Sequence, residues 1–382
     1  MAFAATATAA AIGTAVPSRA DEAYTRCVEG LWPAANKAGV SRRTFDAAFA
    51  GMTPDPATVR LMNRQSEFVK PIWEYLETAV SEKRIENGRK MLAQYRTELA
   101  EIEKRFQVDP AVVVAVWGME TNYGAFMGQH NAIRALSTLA CKADRRQSFW
   151  RNELITALRI LEEGHVSLDN MESSWAGAMG HTQFMPSSWK AYAADYDNDG
   201  RRDVWRNVPD ALASTANYLK SFGWRYGETW GYEVVLPANF NFAAAGSDRK
   251  LTLAQWQRAG VRRVAGDFPR PDDEAYLVLP AGARGPAFLV LRNFDVIKRY
   301  NNATSYALGV GHLTDRIIGR GPFARPWPKD ERPLTRSEVM EMQSLLTRAG
   351  FNTGGIDGQL GPNTRAAIKA WQQSQGRTPD GF

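Results

Sequence analysis

At 382 residues the chain is too long for one simple core, so two or three folding units are expected. A hydrophobic content of 44% with 23% charged residues excludes a disordered or collagen-like protein, and no apolar run beyond the N-terminal stretch reaches the ~20 residues of a membrane-spanning helix. The net charge of +6 favours an anionic partner without naming it, and the 12 Trp suit a reader of sugar rings as well as a core.

Residues 1–20 are Ala- and Thr-rich and end in Ser18-Arg19-Ala20, small residues at the −3 and −1 positions of a signal-peptidase site. An export signal cleaved before Asp21 is expected, although no Lys or Arg precedes the apolar stretch; the alternative is an Ala-rich tail. Cys27 and Cys141 are the only cysteines, an even count that fits one disulfide in an exported chain, against two buried thiols. From Asp21 to about Arg105 the pattern is helical. Helices continue to about Trp230, with a 3.6-residue stripe at Phe149-Trp150, Leu154, Ala157-Leu158 and Leu161. Another helix is expected from Pro209 to a stop at Gly223. Segments 233–236, 275–279 and 287–291 read as short strands, the last two flanking a Gly/Pro turn. Three prolines in Arg325–Pro333 mark a linker. Beyond it come a helix from about Thr335, the loop Gly354–Gly361 and a helix opened by Pro362, a unit with only a small core.

Asp109-Pro110 is a helix start, with Asp as N-cap and Pro at the first helical position. Val113, Val116, Trp117 and Glu120 then fall at i, i+3, i+4 and i+7, which puts Glu120 on an apolar stripe near the helix C-terminus. Desolvation and the negative end of the helix dipole both disfavour its anion. A carboxyl raised toward ~6–7 is what a general acid requires. The spacing alone equally allows a Glu whose head reaches solvent at the helix end.

Three ordered motifs weigh on that choice: Glu120-Thr-Asn-Tyr-Gly124, Ser173-Ser-Trp-Ala-Gly-Ala-Met-Gly180 and Gln183-Phe-Met-Pro-Ser-Ser-Trp189. With Asn217-Tyr218 and Arg299-Tyr-Asn-Asn302, they resemble the lytic transglycosylase B family of murein-cleaving enzymes, over roughly Phe68 to Leu308. The resemblance implies a mainly α (α+β) fold, with a goose-lysozyme-like core, an N-terminal α domain, a small β insertion and a short helical C-terminal module. It implies Glu120 as the single catalytic acid and base, and no required cofactor. Ser174, Gln183, Tyr218, Tyr300, Asn301, Tyr306 and, in a looser motif, Tyr75 would bind the glycan; Gly177 and Gly180 would let the backbone approach the sugar. In the implied reaction Glu120 protonates the oxygen between N-acetylmuramic acid and N-acetylglucosamine. It then takes the proton of the muramic 6-hydroxyl, which closes a 1,6-anhydro ring. No second carboxylate holds a comparable apolar-stripe position beside these motifs, as the two-carboxylate glycosidases require. A hydrolytic muramidase and a non-catalytic wall-binding protein are the competing readings. Nucleic-acid binding is disfavoured, because the basic residues are dispersed.

Asp195-Tyr-Asp-Asn-Asp-Gly200 repeats the opening of an EF-hand loop, with a backbone oxygen offered by Arg201, but Arg206 replaces the closing Glu. The family carries a longer variant loop, which implies Asp195, Asp197, Asp199, Arg201 and Asp210 around a structural Ca²⁺; the alternative is a solvated Asx turn. The segments Gln343–Phe351, Gly355–Gly358, Gly361–Thr364 and Ala367–Gln372 resemble the peptidoglycan-binding domain type 1. That module usually continues past a second Asp-Gly, here Asp380-Gly381, so either the module or the sequence is cut short. The expected organisation is a leader at 1–20, a catalytic region at 21–325, a linker at 326–333 and a wall-binding module at 334–382. Within the catalytic region the α domain spans 21–105, the core 106–232 and 292–325, and the insertion 233–291. The expected setting is a periplasmic monomer on peptidoglycan glycan strands.

Overall fold

The computed structural model describes residues 19–62, 70–246 and 249–382. Residues 1–18 of the expected leader, and Phe68 at the edge of the family resemblance, lie outside the described residues. The fold is mainly helical, as expected, and its helices start where polar side chains can take up free backbone N–H groups. Ser41 caps Arg42–Phe49, Ser81 caps Glu82–Gln94, Asn131 caps Ala132–Lys142 and Asn207 caps Val208–Ser221. Pro110, Pro186 and Pro362 open three more.

The expected cap at Asp109 differs in its chemistry. Asp109 has the extended backbone of an N-cap, but its side chain makes no capping bond. Its carboxylate instead accepts from Trp224 Nε1 at 3.0 Å, a partner 115 residues away that fixes the loop after the Val208 helix.

Two helical cores meet along the Val208 helix. The first surrounds Pro110–Thr121 with Glu82–Gln94, Arg96–Phe106 and Thr304–Ile317, burying Ile85, Leu99, Val112–Trp117, Leu308 and Leu313. The second holds Ala132–Lys142 and Gln147–Glu162 against the first three helices through Tyr24, Phe45, Ile133, Leu136, Leu154 and Trp189. The helices before residue 106 are therefore shared between two cores. A disulfide joins Cys27 on Arg19–Glu29 to Cys141 on the Ala132 helix, across 114 residues.

A third core lies under an antiparallel sheet, ordered Leu251–Thr252, Glu274–Val278, Ala287–Val290, Gly231–Val235 and Arg262–Arg263. Its long strands fall where alternation and β-branched residues place them, with Leu277 paired to Leu289 and Tyr232 to Leu289. The two outer strands are two residues each, too short for the sequence pattern to show. A helix at Leu253–Arg258, closed by a Thr252/Gln255 capping box, also went unread.

The linker is fastened rather than free. Trp327 and Phe323 pack on Phe288 of the sheet, and Arg284 pairs with Asp330 and Glu331. In the C-terminal module, Arg336–Arg348 and Pro362–Ser374 bury only Val339, Leu346, Ala367 and Ile368 among their apolar side chains. Buried Gln343 compensates: its Nε2 donates to Asp357, Gln359 O and Thr364, and its Oε1 accepts from Gly358 N. The module docks on the sheet unit, where Asp380 accepts from Ala283 N at 2.8 Å and Lys369 donates to Ala245 O.

Candidate active site

The Pro110–Thr121 helix is apolar on every side, with all of Ala111 to Gly118 buried, so it is a central helix rather than an amphipathic one. Glu120, half-buried, thus loses water to the tertiary packing around the helix end and not to one stripe. The helix stops because Asn122 and Tyr123 both adopt left-handed backbone, φ 50° and 61°, followed by Gly124 at 85°. Thr121 Oγ1 accepts from Gly124 N at 3.0 Å and locks that turn.

Glu120 Oε1 accepts from Tyr306 Oη at 2.5 Å, the one hydrogen bond of this carboxyl among the described residues. Burial pushes its pKa up to about 7, and the Tyr306 hydroxyl pulls against that rise. No other carboxylate perturbs its proton among the described residues. Tyr306 stacks near Tyr300, centroids 6.5 Å apart and 16° from parallel, and Tyr300 Oη donates to Thr182 O at 2.6 Å. Tyr75 is half-buried on the other flank, where burial first and then the Glu120 charge push its hydroxyl to about 12.

The second core contributes a loop folded on itself by the bridges Ser173–Met179 and Met179–Phe184. Ser174 Oγ accepts from Ala176 N and Ala178 N, at 3.3 and 3.2 Å, which commits its lone pairs and leaves its hydrogen to donate. Gln183, at φ 50°, donates both amide hydrogens to Met127 O and Gly180 O, which turns its oxygen into the accepting atom. Asn301 is exposed just past the helix Arg292–Tyr300.

Not every expected residue opens onto this end of the helix through its polar atom. Tyr218 is 7% exposed, packed among Phe184, Tyr192, Phe222 and Tyr300, and its hydroxyl donates to Arg299 O. Its placement supports Tyr300 from behind. Gly177 and Gly180 serve internal packing: a Cβ there would meet Leu136 at 2.5 Å and Val204 O at 2.5 Å. A cavity of about 890 Å³ opens at the other, N-terminal end of the same helix, beside Pro110 and Trp224, and holds none of these groups.

His181 was not singled out from the sequence. Trp117 Nε1 donates to His181 Nδ1 at 3.0 Å, so the proton of the neutral ring sits on Nε2. Burial lowers its pKa to about 4, and the ring presses on Gly124. The pair ties the Glu120 helix to the Gly180–Gln183 turn. A lone histidine inside a motif gave no signal of that role, since its partner lies 64 residues away.

In the acidic loop, ligand atoms of Asp195, Asp197 and Asp210 lie within 4.8 Å of one another. Asp195 Oδ1 is buried with no hydrogen-bond partner, and Asp210 is fully buried with its pKa raised to about 6 by burial and then by Asp197 and Asp195. Three carboxylate oxygens, one of them orphaned, fit a hard divalent cation. Asp199 turns away to pair with Arg201 at 2.8 Å.

A transglycosylase SLT domain family profile matches residues 23–315, and a peptidoglycan binding domain profile matches 335–382. Membrane-bound lytic murein transglycosylase B of Escherichia coli K12 is 32% identical over 295 residues, 74% of this chain and 80% of that protein. The crystal structure of Pseudomonas aeruginosa SltB3 in complex with NAG-anhNAM-pentapeptide matches with a TM-score of 0.91 and 46% identity, over 94% of this chain and 96% of that one. E. coli lytic transglycosylase Slt35 in complex with calcium matches with a TM-score of 0.65 and 28% identity, over 78% and 93% of the two chains.

Proposed function

The chain belongs to the SLT-domain transglycosylase family and is a lytic murein transglycosylase with a peptidoglycan-binding domain, and from that premise we propose that Glu120 alone performs both proton transfers. The observation that carries this reading is the half-buried Glu120 carboxyl, raised to about 7 with Tyr306 as its hydrogen-bond partner and no carboxylate among the described residues acting on it. Near neutral pH such a group is populated in both protonation states.

In its acid form Glu120 donates its proton to the oxygen joining N-acetylmuramic acid to N-acetylglucosamine as that bond breaks. The 2-acetamido carbonyl steadies the cationic sugar. The ionised carboxylate, held by Tyr306, then removes the proton of the muramic 6-hydroxyl, whose oxygen closes on C1. Glu120 ends protonated, as it began. Ser174 as donor and Gln183 Oε1 as acceptor bind the glycan from the opposite wall, with Tyr75, Tyr300, Asn301 and Tyr306 around it and Tyr218 behind. Among the described residues no second carboxylate acts on Glu120, where an inverting hydrolase would use one as base and a retaining one as nucleophile.

Digestion of purified sacculi tests the reaction. Released muropeptides should end in 1,6-anhydromuramic acid. Products heavier by one water, the reducing ends of a muramidase, would overturn the reading.

Within the same proposal, the region 21–325 cuts the glycan, 326–333 connects, and 334–382 holds the enzyme to the wall in the periplasm after export. Among the described residues no helix is long and apolar enough to cross a membrane. Asp195, Asp197 and Asp210 would hold Ca²⁺, which supplies charge balance to the loop between Pro186–Tyr192 and the Val208 helix. Asp199 and the Arg201 backbone stand at the rim of that site.

A further inference from the structure

Scattered apolar side chains on a surface need no role. Phe126 differs. Its side chain is 75% exposed, and the next most exposed large hydrophobic among the described residues is Leu345 at 51%. It also sits in the connection, residues 122–129, that leaves the Glu120 helix for the strand at His130.

That turn is held on all sides. Phe126 N donates to Thr121 O at 3.0 Å, which folds the residue back against the end of the Glu120 helix. The next residue, Met127, gives its carbonyl to Gln183 Nε2 at 3.0 Å, so Phe126 is one residue from a group of the opposite cleft wall. Gly128, at φ 109°, lies so close to Ser173 that an added Cβ would stand 1.9 Å from its carbonyl oxygen, which pins the far end beside Ser174. The backbone is thus rigid while the ring is bare. Fixing an aromatic ring in water gains the fold nothing, so its position is explained by what it meets when the cleft is filled.

Resting on the glycan-cleaving reading above, we propose that Phe126 is a preformed platform for the apolar C–H face of a pyranose ring of the glycan strand. The ring lies beside the scissile bond rather than at it. An aromatic face offers a large contact with little side-chain entropy to lose, and a rigid turn removes the ordering cost. The residue contributes to substrate affinity and to the register of the strand, not to the proton transfers.

Steady-state kinetics of the full chain on soluble, uncross-linked glycan strands test it. Phe126→Ala should raise KM roughly five- to tenfold with kcat within about twofold of the parent. Phe126→Trp should keep KM within about twofold, while Phe126→Leu, apolar but without a ring face, should resemble the Ala variant. Melting temperatures should match, because the side chain is already in water. An unchanged KM in Phe126→Ala, or full retention by Phe126→Leu, overturns the platform. Glycan dissociation constants measured in a Glu120→Gln background should follow the same order, and cleavage of the glycan by that background protein would count against the Glu120 assignment and not against the platform.

Discussion

Glu120 and Asp210 are acids at helix ends, the first half-buried and the second buried, and burial is the first cause that lifts their pKa values, to about 7 and about 6. Their helix positions are opposite. Glu120 stands at the C-terminal end of its helix, where the dipole disfavours an anion, and Asp210 in the first turn of its own, where the dipole favours one. Glu120 has a tyrosine hydroxyl as partner; Asp210 accepts two backbone N–H groups, from Tyr196 and Asp203, both at 2.7 Å. The second cause also differs. Among the described residues nothing charged acts on Glu120, whereas Asp197 and Asp195 crowd Asp210. A raised carboxyl pKa therefore has two physical origins: at Glu120 burial beside a neutral hydroxyl, at Asp210 burial within a cluster of like charges.

The largest expected effect separates the two directly. Glu120→Gln keeps the shape and the bond from Tyr306 but can neither give nor take the proton, so release of muropeptides should fall by at least the ~10²–10⁴-fold typical of general acid–base catalysis. Asp197→Ala, in the other cluster, should leave turnover within a few-fold. Near-parental rates for soluble, glycan-binding Glu120→Gln protein would break the comparison at its root.

Calcium gives the next effect. A cation bound only by the folded loop stabilises by mass action, ~2.7 kcal/mol at a hundredfold excess over its Kd. Differential scanning calorimetry should show a higher Tm for the parent in millimolar calcium and none of that rise for Asp197→Ala. A parent Tm indifferent to calcium would return the loop to a solvated turn.

The pH dependence of stability distinguishes a stored proton from a bound cation. Glu120 is raised above its ordinary 4.5 in the folded state, so between about 4.5 and 7 the folded protein binds more protons than the unfolded chain. Stability due to this group is present below 4.5 and is lost as pH rises through 7. Glu120→Gln lacks the loss and should be the more stable protein at pH 8, by on the order of 2 kcal/mol given partial solvent access, while the two should melt together near pH 4.5. A difference of the opposite sign would show that the carboxylate is stabilised in place.

The smallest effect concerns Tyr306→Phe. Removing a bond to a charged group weakens the ionised form, so the alkaline limb of the rate profile should move to higher pH and the rate should fall roughly tenfold. An unshifted limb would mean that the Tyr306 bond does not tune Glu120.

The motifs around Glu120, Ser174 and Gln183 were legible because each is short and continuous. Gln343 and Thr364 of the small module were legible as parts of the segments that resemble a peptidoglycan-binding domain, though not as the polar hub they form. Tyr218 shows the limit: the sequence placed it beside the chemistry, and the packing turned its hydroxyl to Arg299 O.

What the residues alone determined was local. Prolines at helix starts and the alternation of the long strands act within about four residues, so the Pro110 and Val208 helices and the three long strands could be read directly, while the two-residue strands and the Leu253–Arg258 helix could not. What the tertiary structure decided was which of these groups meet and which lose water. Tyr306 reaches Glu120 across 186 residues, Asp109 abandons its cap for Trp224, His181 takes the Trp117 indole, and the module settles on the sheet through Asp380. Burial and charge proximity set proton affinity, and both are properties of segments brought together from far apart in the chain.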